Sequence, residues 1–341
     1  MKVTTVGLDL AKNVYSVHGV DEHGKVVVKR QLSRAKLLEF FAPLSPSLVG
    51  MEACSGAHHW AREIEKLGHR VGIMASRFVR PYRKSEKNDG NDAEAICEAV
   101  GRPTMRFVPV KSLEQQAVLV LHRVRQGLTA ERTAAINQLR GLLAEFGIVL
   151  PKGRHQLRAG IGDVLENAEN TIPGLARLAL TDLNERIGEL DQRILAYDRQ
   201  LEMLARESEP ARRLQQIPGI GPITATALVA SVGDAKIFKN GRQFAAWLGL
   251  VPRQHSTGGK VRLGRISKRG DLYLRMLLIH GSRAVLFRTK DKSDRLMRWA
   301  EALRARRGTR KAAVALAARN ARIAWVLLAK GESYQPRQLA A

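Results

Sequence analysis

Apolar positions in the first hundred residues follow the two-residue period of β-strands, with helical patterns between the later strands. The predicted strands cover residues 2–10, 14–20, 25–32, 48–52 and 70–75. The predicted helices cover residues 33–41 and 58–67, and a third opens near Asn91. Ser33 is expected to cap the first of these helices.

The order of these elements indicates the fold class. Three strands in a meander, followed by alternating helices and strands, are expected of a ribonuclease H-like α/β domain, which we assign to residues 1–110. Actin-like ATPases share the strand order. They also need further Gly-rich phosphate loops and a second similar domain, and the sequence shows neither.

Helical periodicity dominates residues 111–208. Ser112 and Gln115 form a capping box, and the helix that follows runs to Phe146, a length of roughly 50 Å. After an irregular stretch from Gly153 to Gly174, apolar residues between 180 and 204 keep a/d spacing over four heptads. This coiled-coil pattern can be satisfied within one chain or between chains, and we expect some contact between chains.

A basic, mostly helical domain is predicted for residues 209–341. In its first turn, Gly219 and Gly221 lie between prolines, which resembles a helix-hairpin-helix whose backbone N–H groups hold a nucleic-acid phosphate. A plain tight connection between helices explains the turn nearly as well. Further helices are predicted at 238–250, 272–283 and 312–328. The run Arg304, Arg306, Arg307, Arg310 and Lys311 is expected to be a solvated, phosphate-contacting surface.

Net charge narrows the class of partner. The chain has 57 Lys and Arg and 32 Asp and Glu, which gives a net charge of +25. From residue 236 onward it has 25 basic and 5 acidic residues. Such an asymmetry indicates a polyanion, with nucleic acid first and an anionic membrane surface second. No stretch approaches the ~18 to 20 apolar residues of a membrane span, and no signal peptide is apparent, so no membrane partner is expected. Cys54 and Cys97 form no CxxC motif or disulfide framework, which favours a reducing cytoplasm.

Four acidic residues fall where such a fold can bring them together. Asp9 ends the first predicted strand, Glu52 ends the fourth, and Asp89 and Asp92 lie three residues apart at a helix start. Converging carboxylates repel one another without a divalent cation, and oxygen-only ligands suit Mg²⁺. The alternative treats Asp89 and Asp92 as helix caps and Asp9 as a turn residue. The joint placement favours the metal site.

A hydroxyl-bearing loop lies in the basic domain. Ser256 and Thr257 precede a Gly-Gly pair and are surrounded by Lys and Arg. A hydroxyl can attack a phosphodiester only if nearby cations neutralise the charge that develops on the phosphorus oxygens. The alternative is an ST-turn in a nucleic-acid-binding loop. The residues expected to contact nucleic acid are Arg253, Lys260, Arg262, Arg265, Lys268 and Arg269.

Taken together, these motifs resemble the DEDD transposases of insertion sequences, which are bridge-RNA-guided DNA recombinases. The matching segments are GLDLAK, MEACSG, KNDGNDAEAI, PGIGPITA and GLVPRQHSTGGKVRLGRISKRGD. The resemblance implies a RuvC-like N-terminal domain, a coiled-coil segment and a C-terminal transposase domain. It also implies a bacterial cytoplasmic protein that associates with the nucleoid.

For individual residues, the resemblance implies that Asp9, Glu52, Asp89 and Asp92 bind Mg²⁺, with Mn²⁺ as an alternative. Ser256 would attack DNA and become joined to the 5′ phosphate. The family pattern has two adjacent serines where this chain has Ser256 and Thr257, so Thr257 stays a second candidate nucleophile.

The resemblance also implies the partners: donor and target double-stranded DNA, a non-coding bridge RNA, and further copies of the chain. Dimers would assemble to a tetramer in which the serine domain of one subunit completes the metal site of another. Two other functions stay open. One is a metal-dependent, structure-selective nuclease of the Holliday-junction kind that uses water, and the other is an RNA-binding scaffold protein, which would leave the four acidic positions unexplained.

Overall fold

A computed structural model describes residues 2–84, 88–288 and 294–336. The chain divides into two compact units, Met1–Ser112 and Leu113–Ala341. The first unit is a mixed α/β domain and the second is predominantly helical. These two classes are the ones expected from the periodicity of the sequence.

The first unit is built on a six-stranded sheet with the order β3-β2-β1-β4-β5-β6. The strands are β1 (Thr5–Leu10), β2 (Val14–Val20), β3 (Val26–Ser33), β4 (Leu48–Glu52), β5 (Arg70–Met74) and β6 (Phe107–Val108). The helices are α1 (Leu37–Phe41), α2 (Ala57–Lys66), α3 (Ser76–Val79) and α4 (Asp89–Val100). β1, β4 and β5 are parallel, whereas β2, β3 and β6 run antiparallel to their neighbours. The predicted meander of three strands, followed by alternating helices and strands, is therefore confirmed.

One expected cap is wrong. Ser33 lies at the start of a short 3₁₀ turn, Arg34–Lys36, but its side chain makes no capping hydrogen bond. Ser33 is also the last residue of β3, where it pairs with Val14. Its backbone is therefore placed by the strand rather than by the helix that follows.

The two faces of the sheet pack against different helices. Val6, Leu8 and Met51 are fully buried in a core that includes residues of α1 and α2. Successive side chains of a strand point to opposite faces. The alternate positions Gly7 and Gly50 accordingly face α4.

A row of glycines allows α4 to lie close against the sheet. The sequence Val-Gly followed by an apolar residue occurs in β1, β4 and β5, and the pairing aligns Gly7 with Gly50 and Gly50 with Gly72. A Cβ atom on Gly7 would lie 2.0 Å from the carbonyl oxygen of Ala93. Side chains at these positions would push the helix away, so the glycines set its distance from the strands.

The second unit contains nine helices and a two-stranded hairpin within its described residues. The helices are α5 (Leu113–Glu145), α6 (Arg154–Glu166), α7 (Gly174–Glu207), α8 (Glu209–Gln215), α9 (Pro222–Val232), α10 (Gly241–Trp247), α11 (Leu272–Arg288), α12 (Arg295–Arg307) and α13 (Thr309–Lys330). The strands are β7 (Pro252–Gln254) and β8 (Leu263–Ile266). The two long helices expected from the periodicity are present as α5 and α7.

Helices α5 and α7 pack on each other. Leu139 and Leu143 of α5 share an apolar cluster with Leu180 and Ile187 of α7. Between the polar faces, Arg132 and Asp191 form an ion pair of 2.7 Å. The apolar residues that follow a/d spacing in α7 are thus buried or half-buried within this unit.

Two expectations for the second unit are corrected. The stretch expected to be irregular contains α6, whose buried Leu157 and Ile161 are one turn apart. The helix expected over 238–250 covers only Gly241–Trp247, because Asn240 caps its start and Gly249 follows its end at a φ of 73°. The run of basic residues after 303 lies at the end of α12 and the start of α13, where four of its five residues are exposed as expected, and its contact with phosphate stays a prediction.

Helix α13 is, by length and composition, the one helix in the described part of the chain that could cross a membrane. Half of its apolar window is buried inside the protein. Ala317 and Ala321 lie in the main core of the unit, and Leu316 lies in a second cluster. The sequence predicts this helix at 312–328, and alanines supply much of the apolar character that gives it the composition of a membrane span.

Candidate carboxylate site and serine hairpin

Asp9 and Glu52 lie at the ends of neighbouring parallel strands. Leu8 pairs with Met51, and each acidic residue is the next position along its strand. Both follow by two positions a glycine that faces α4, so strand alternation places both side chains on the α4 face of the sheet. The fold therefore brings these two carboxylates to one edge, as the strand order predicted.

Asp89 and Asp92 lie in the first turn of α4. Asn88, and not an aspartate, caps this helix, since its side-chain oxygen accepts a hydrogen bond of 2.8 Å from the N–H of Asn91. Asp89 is one turn before Ala93, which faces Gly7, and Asp92 is one turn before Ile96, which faces Gly50. Both aspartates thus belong to the side of the helix that faces the sheet.

The acidic side chains have protein partners in this structure. Ser76 donates a hydrogen bond of 2.6 Å to Glu52, and Arg83 lies 3.3 Å from Asp92 in a half-buried ion pair. Desolvation, followed by the negative charges of Asp9 and Glu52, raises the pKa of the Cys54 thiol above its ordinary value. Two carboxylates thus act electrostatically on one point beside the strand ends.

The four acidic residues are not gathered into one cluster. Within residues 2–84, 88–288 and 294–336, no three His, Cys, Asp or Glu side chains lie close enough together to hold a metal ion. Asp9 and Glu52 form the strand half of the predicted site, while Asp89 and Asp92 form the helix half. Their joint role as metal ligands stays a prediction.

Ser256 lies on a β-hairpin rather than in an irregular loop. Strands β7 and β8 pair antiparallel, Thr257 pairs with Lys260, and His255 donates its N–H to the carbonyl of Arg262 at 2.9 Å. Gly258 and Gly259 form the two-residue turn at φ values of 54° and 75°. Positive φ at both positions is the type I′ geometry that matches the twist of a hairpin, which is why two glycines occur here.

The hairpin separates the two candidate nucleophiles. The pairing register continues past β7, with Gln254 opposite Leu263 and Thr257 opposite Lys260, so alternation along this arm puts Ser256 and Thr257 on different faces of the hairpin. The Ser256 oxygen accepts hydrogen bonds from the side-chain amide of Gln254 at 2.9 Å and from the backbone N–H of Arg262 at 3.3 Å. Ser256 is therefore held by two donors on an exposed surface.

A buried cation holds the base of the hairpin. Arg275 of α11 is 6% exposed and donates to the carbonyls of Leu248 at 3.1 Å and Arg269 at 3.2 Å. A Cβ atom on Gly249 would lie 2.0 Å from the Arg269 carbonyl oxygen, and one on Gly270 would lie 1.8 Å from that of Trp247. The entry and exit segments of the hairpin are thus in close backbone contact.

The basic residues expected to contact nucleic acid are exposed. They are Arg253, Lys260, Arg262, Arg265, Lys268 and Arg269. Pairing with His255 and Thr257 places Lys260 and Arg262 on the face opposite Ser256. Between Asp234 and Asp271 the sequence has no acidic residue, so the hairpin as a whole is cationic.

Gly219 and Gly221 have different surroundings. Gly219, at a φ of 91°, lies against Gly281 of α11, where a Cβ atom on Gly281 would meet the Gly219 oxygen at 1.9 Å. Gly221 is exposed and begins α9 without a side-chain cap. Gly219 thus serves close backbone packing, and phosphate binding at this turn stays a prediction.

Sequence reasoning missed two residues of the hairpin. Gln254 ends β7 and reaches Ser256 two positions further along the same arm of the hairpin, a relation that becomes visible only once the segment is known to be a hairpin. Arg275 is one of the 25 basic residues counted from residue 236 onward, but the structure buries it and bonds it to backbone carbonyls. Its position in an apolar run, LYLRMLL, was the available signal.

Comparison with known proteins identifies the family. A model of the DEDD transposase domain of IS110 elements matches residues 6–148, and a model described as "Transposase IS116/IS110/IS902 family" matches residues 211–298. A probable family 20 transposase of Pseudomonas aeruginosa is 52% identical over 98% of this chain and 100% of its own length. This chain is an IS110/IS116-family transposase.

Other members of the family are similar over nearly their whole length. The transposase for insertion sequence element IS1328 of Yersinia enterocolitica is 45% identical and covers 96% of this chain and 98% of its own length. The transposase for element IS1111A of Coxiella burnetii is 42% identical, with coverage of 98% and 92%. As an insertion-sequence transposase, the protein cleaves and rejoins DNA, and its DEDD domain contains the strand-end carboxylates.

Proposed function

We propose that this transposase is an RNA-guided DNA recombinase whose Ser256 forms a covalent bond with DNA. The observation that carries the proposal is the pair of donors on the Ser256 oxygen, at an exposed, cationic hairpin of a DEDD transposase. Donors on this oxygen favour attack, because they stabilise the negative charge that develops on it as the proton leaves. Thr257 lies on the opposite face and is the less suited nucleophile.

The carboxylates Asp9, Glu52, Asp89 and Asp92 are proposed to hold Mg²⁺, or Mn²⁺ in its place. Their chemistry fits the ion, since all the ligands are oxygens and two of them end adjacent parallel strands. Asp92 would exchange its ion pair with Arg83 for the metal. When bound, Mg²⁺ would stabilise negative charge on the phosphoryl oxygens.

The chain's own residues account for the bond changes in the proposed step. The Ser256 oxygen attacks phosphorus and loses its proton, and the bond from phosphorus to the 3′ oxygen breaks. The 3′ oxygen takes up a proton, and the 5′ phosphate stays joined to Ser256. Because the phosphoserine ester conserves the bond, the reverse attack by a 3′ hydroxyl rejoins DNA without ATP.

Further copies of the chain and an RNA complete the proposal. A non-coding RNA would base-pair with donor and target DNA and so select the sequence. The protein would recognise the backbone and the shape of the nucleic acid. Dimers assembling to a tetramer would bring a carboxylate domain and a serine domain from different subunits together. Helices α5 and α7 would supply coiled-coil contacts in this assembly, and the complex would act on cytoplasmic, nucleoid-associated DNA.

Covalent capture of DNA tests the proposal. Purified protein is incubated with Mg²⁺, the non-coding RNA encoded beside the element, and matching donor and target duplexes. A denaturing gel then detects protein-linked DNA. We expect an adduct that maps to Ser256 and disappears in Ser256→Ala and Asp9→Asn, while RNA binding stays near the wild-type level. Thr257→Val is the matched control and is expected to keep the adduct.

Other outcomes assign other functions. Free cleaved ends without an adduct indicate a metal-dependent, structure-selective nuclease that uses water. Loss of folding or of RNA binding in Asp9→Asn or Ser256→Ala contradicts the assignment of these residues to chemistry. An adduct that persists in Ser256→Ala and disappears in Thr257→Val makes Thr257 the nucleophile.

A further inference from the structure

The face of the hairpin that contains Ser256 holds a second polar side chain. Gln254 pairs with Leu263, and the ladder continues through His255 and Arg262 to the Thr257–Lys260 pair. Gln254 and Ser256 are therefore two positions apart on one face, and the distance from the amide nitrogen to the Ser256 oxygen is 2.9 Å. His255 points to the opposite face.

The direction of both hydrogen bonds is the informative feature. The Gln254 amide and the Arg262 N–H both donate, so the Ser256 oxygen accepts twice. Donors aimed at an oxygen stabilise it more strongly as it becomes negative, because charge-assisted hydrogen bonds are shorter and stronger than neutral ones. Neither bond uses the hydroxyl hydrogen, which therefore points away from both donors.

We propose that Gln254 is a positioning residue for Ser256, whose side-chain amide acts with the Arg262 N–H to stabilise the serine oxygen as its proton leaves. This inference rests on the proposed covalent role of Ser256. In the step, the bond from the Ser256 oxygen to phosphorus forms and the bond from phosphorus to the 3′ oxygen breaks. The serine proton passes to solvent and the 3′ oxygen is protonated, so no further reactant is needed.

The sequence by itself favours a different residue, His255, as the one that activates Ser256. His255 is adjacent to Ser256, and histidine is the usual base for a serine nucleophile. Strand alternation turns the His255 side chain away, and its N–H is used in the ladder to Arg262. The geometry thus assigns the role to an amide that cannot take a proton, so the amide can lower the barrier only by holding the oxygen and its developing charge.

Single-turnover kinetics of adduct formation test this role between pH 6 and pH 9. Gln254→Ala removes the donor, and Gln254→Glu keeps the shape but replaces the donor with an acceptor. We expect both variants to slow the adduct at pH 7 roughly 10-fold to 100-fold, with DNA affinity within about 2-fold of wild type. The fold deficit should be the same across this range, because the serine hydroxyl ionises far above pH 9 and the alkoxide fraction then rises equally with pH in wild type and variants. His255→Gln is the matched neighbour and is expected to stay within about 2-fold of wild type.

The controls separate this inference from the proposed function. Wild-type rates in both Gln254→Ala and Gln254→Glu, with the adduct still on Ser256, refute the role of Gln254 alone. A deficit that accompanies lost hydrogen-exchange protection of the hairpin, or an equal loss of DNA affinity, shows a structural role and also refutes it. Absence of any adduct with the wild-type protein refutes the serine chemistry and this inference together.

Discussion

At the scale of single residues, surroundings rather than residue type separate the chemistry-bearing side chains from structural ones. Ser256 and Thr257 are neighbours with the same functional group, yet only the serine faces Gln254. Arg262 and Arg275 are both cations, yet one is exposed on the hairpin and the other is buried and bonded to two carbonyls. The first contrast arises from alternation along the hairpin arm, and the second arises because Arg275 lies on the buried side of α11.

His122 is a buried residue outside the proposed chemistry. It is 1% exposed, and its ring nitrogens lie 3.0 Å from the Tyr273 hydroxyl and 3.1 Å from the Thr226 hydroxyl. Thr226 donates to the Pro222 carbonyl at 2.9 Å, so it accepts from Nε2 of His122, and Nδ1 accepts from Tyr273. A neutral ring satisfies this arrangement and joins α5, α9 and α11.

The buried ring makes stability depend on pH. Burial, followed by the charges of Arg125 and Arg123, lowers the pKa of His122 from 6.5 to about 4. The unfolded chain therefore binds the proton more readily, so this contribution to stability is complete above pH 6.5 and is lost as pH falls toward 4. Between pH 7 and pH 5 we expect it to cost about 2 kcal/mol of unfolding free energy.

Urea unfolding of His122→Gln at the two pH values measures this contribution. The loss between pH 7 and pH 5 should be smaller in the variant than in the wild type by about 2 kcal/mol. His155→Gln, at an exposed position of the same unit, should keep the wild-type difference. An unchanged difference in His122→Gln would contradict the buried, neutral ring.

At the scale of elements, the packing of α4 on the sheet controls the carboxylate site. Asp89 and Asp92 are placed by α4, whereas Asp9 and Glu52 are placed by the strands beneath it. The glycine row determines how closely these two halves approach. The distance between the two halves of the carboxylate site therefore depends on glycines that have no side chain.

Gly7→Ala tests this packing. The new Cβ atom would lie 2.0 Å from the Ala93 oxygen and 2.4 Å from the Cys97 nitrogen, both backbone atoms of α4. We expect α4 to move and the unfolding free energy to fall by about 3 kcal/mol or more. Urea unfolding, together with hydrogen exchange of α4, measures the effect.

Gly101→Ala supplies the control for this substitution. Gly101 directly follows α4, has an ordinary helical φ of −78°, and would place its Cβ in open space. We expect a change within about 1 kcal/mol. Equal stability of the two variants would show that α4 is not seated on the glycine row.

At the scale of the whole molecule, the net charge of +25 governs binding to nucleic acid. Cations that replace counterions on DNA make affinity fall with salt, with a slope of about 0.9 for each phosphate neutralised in a duplex. The exposed basic residues of the hairpin should contribute to this slope.

Replacing hairpin cations should reduce the slope in proportion to their number. In Lys260→Gln combined with Arg262→Gln, we expect the plot of log affinity against log salt to flatten by about 1.8, since two contacts are lost. Fluorescence anisotropy with a labelled duplex, at salt concentrations from about 50 to about 200 mM, gives the slopes. Lys25→Gln, in the β2–β3 turn, should leave the slope unchanged. A slope unaffected by the double replacement would remove the hairpin from the interface.

The sequence by itself determined the types of most elements, because apolar period and turn residues are local properties. Strand order, the two long helices, the strand-end positions of Asp9 and Glu52, and the basic second half could all be predicted in this way. Tertiary structure alone decided which residues share a face. The alignment of Gly7 with Gly50, the reach of Gln254 to Ser256 and the burial of Arg275 depend on register and packing between segments distant in sequence or not recognisable as strands. Such relations arise from hydrogen-bond pairing and close contact, which a pattern along one chain does not record.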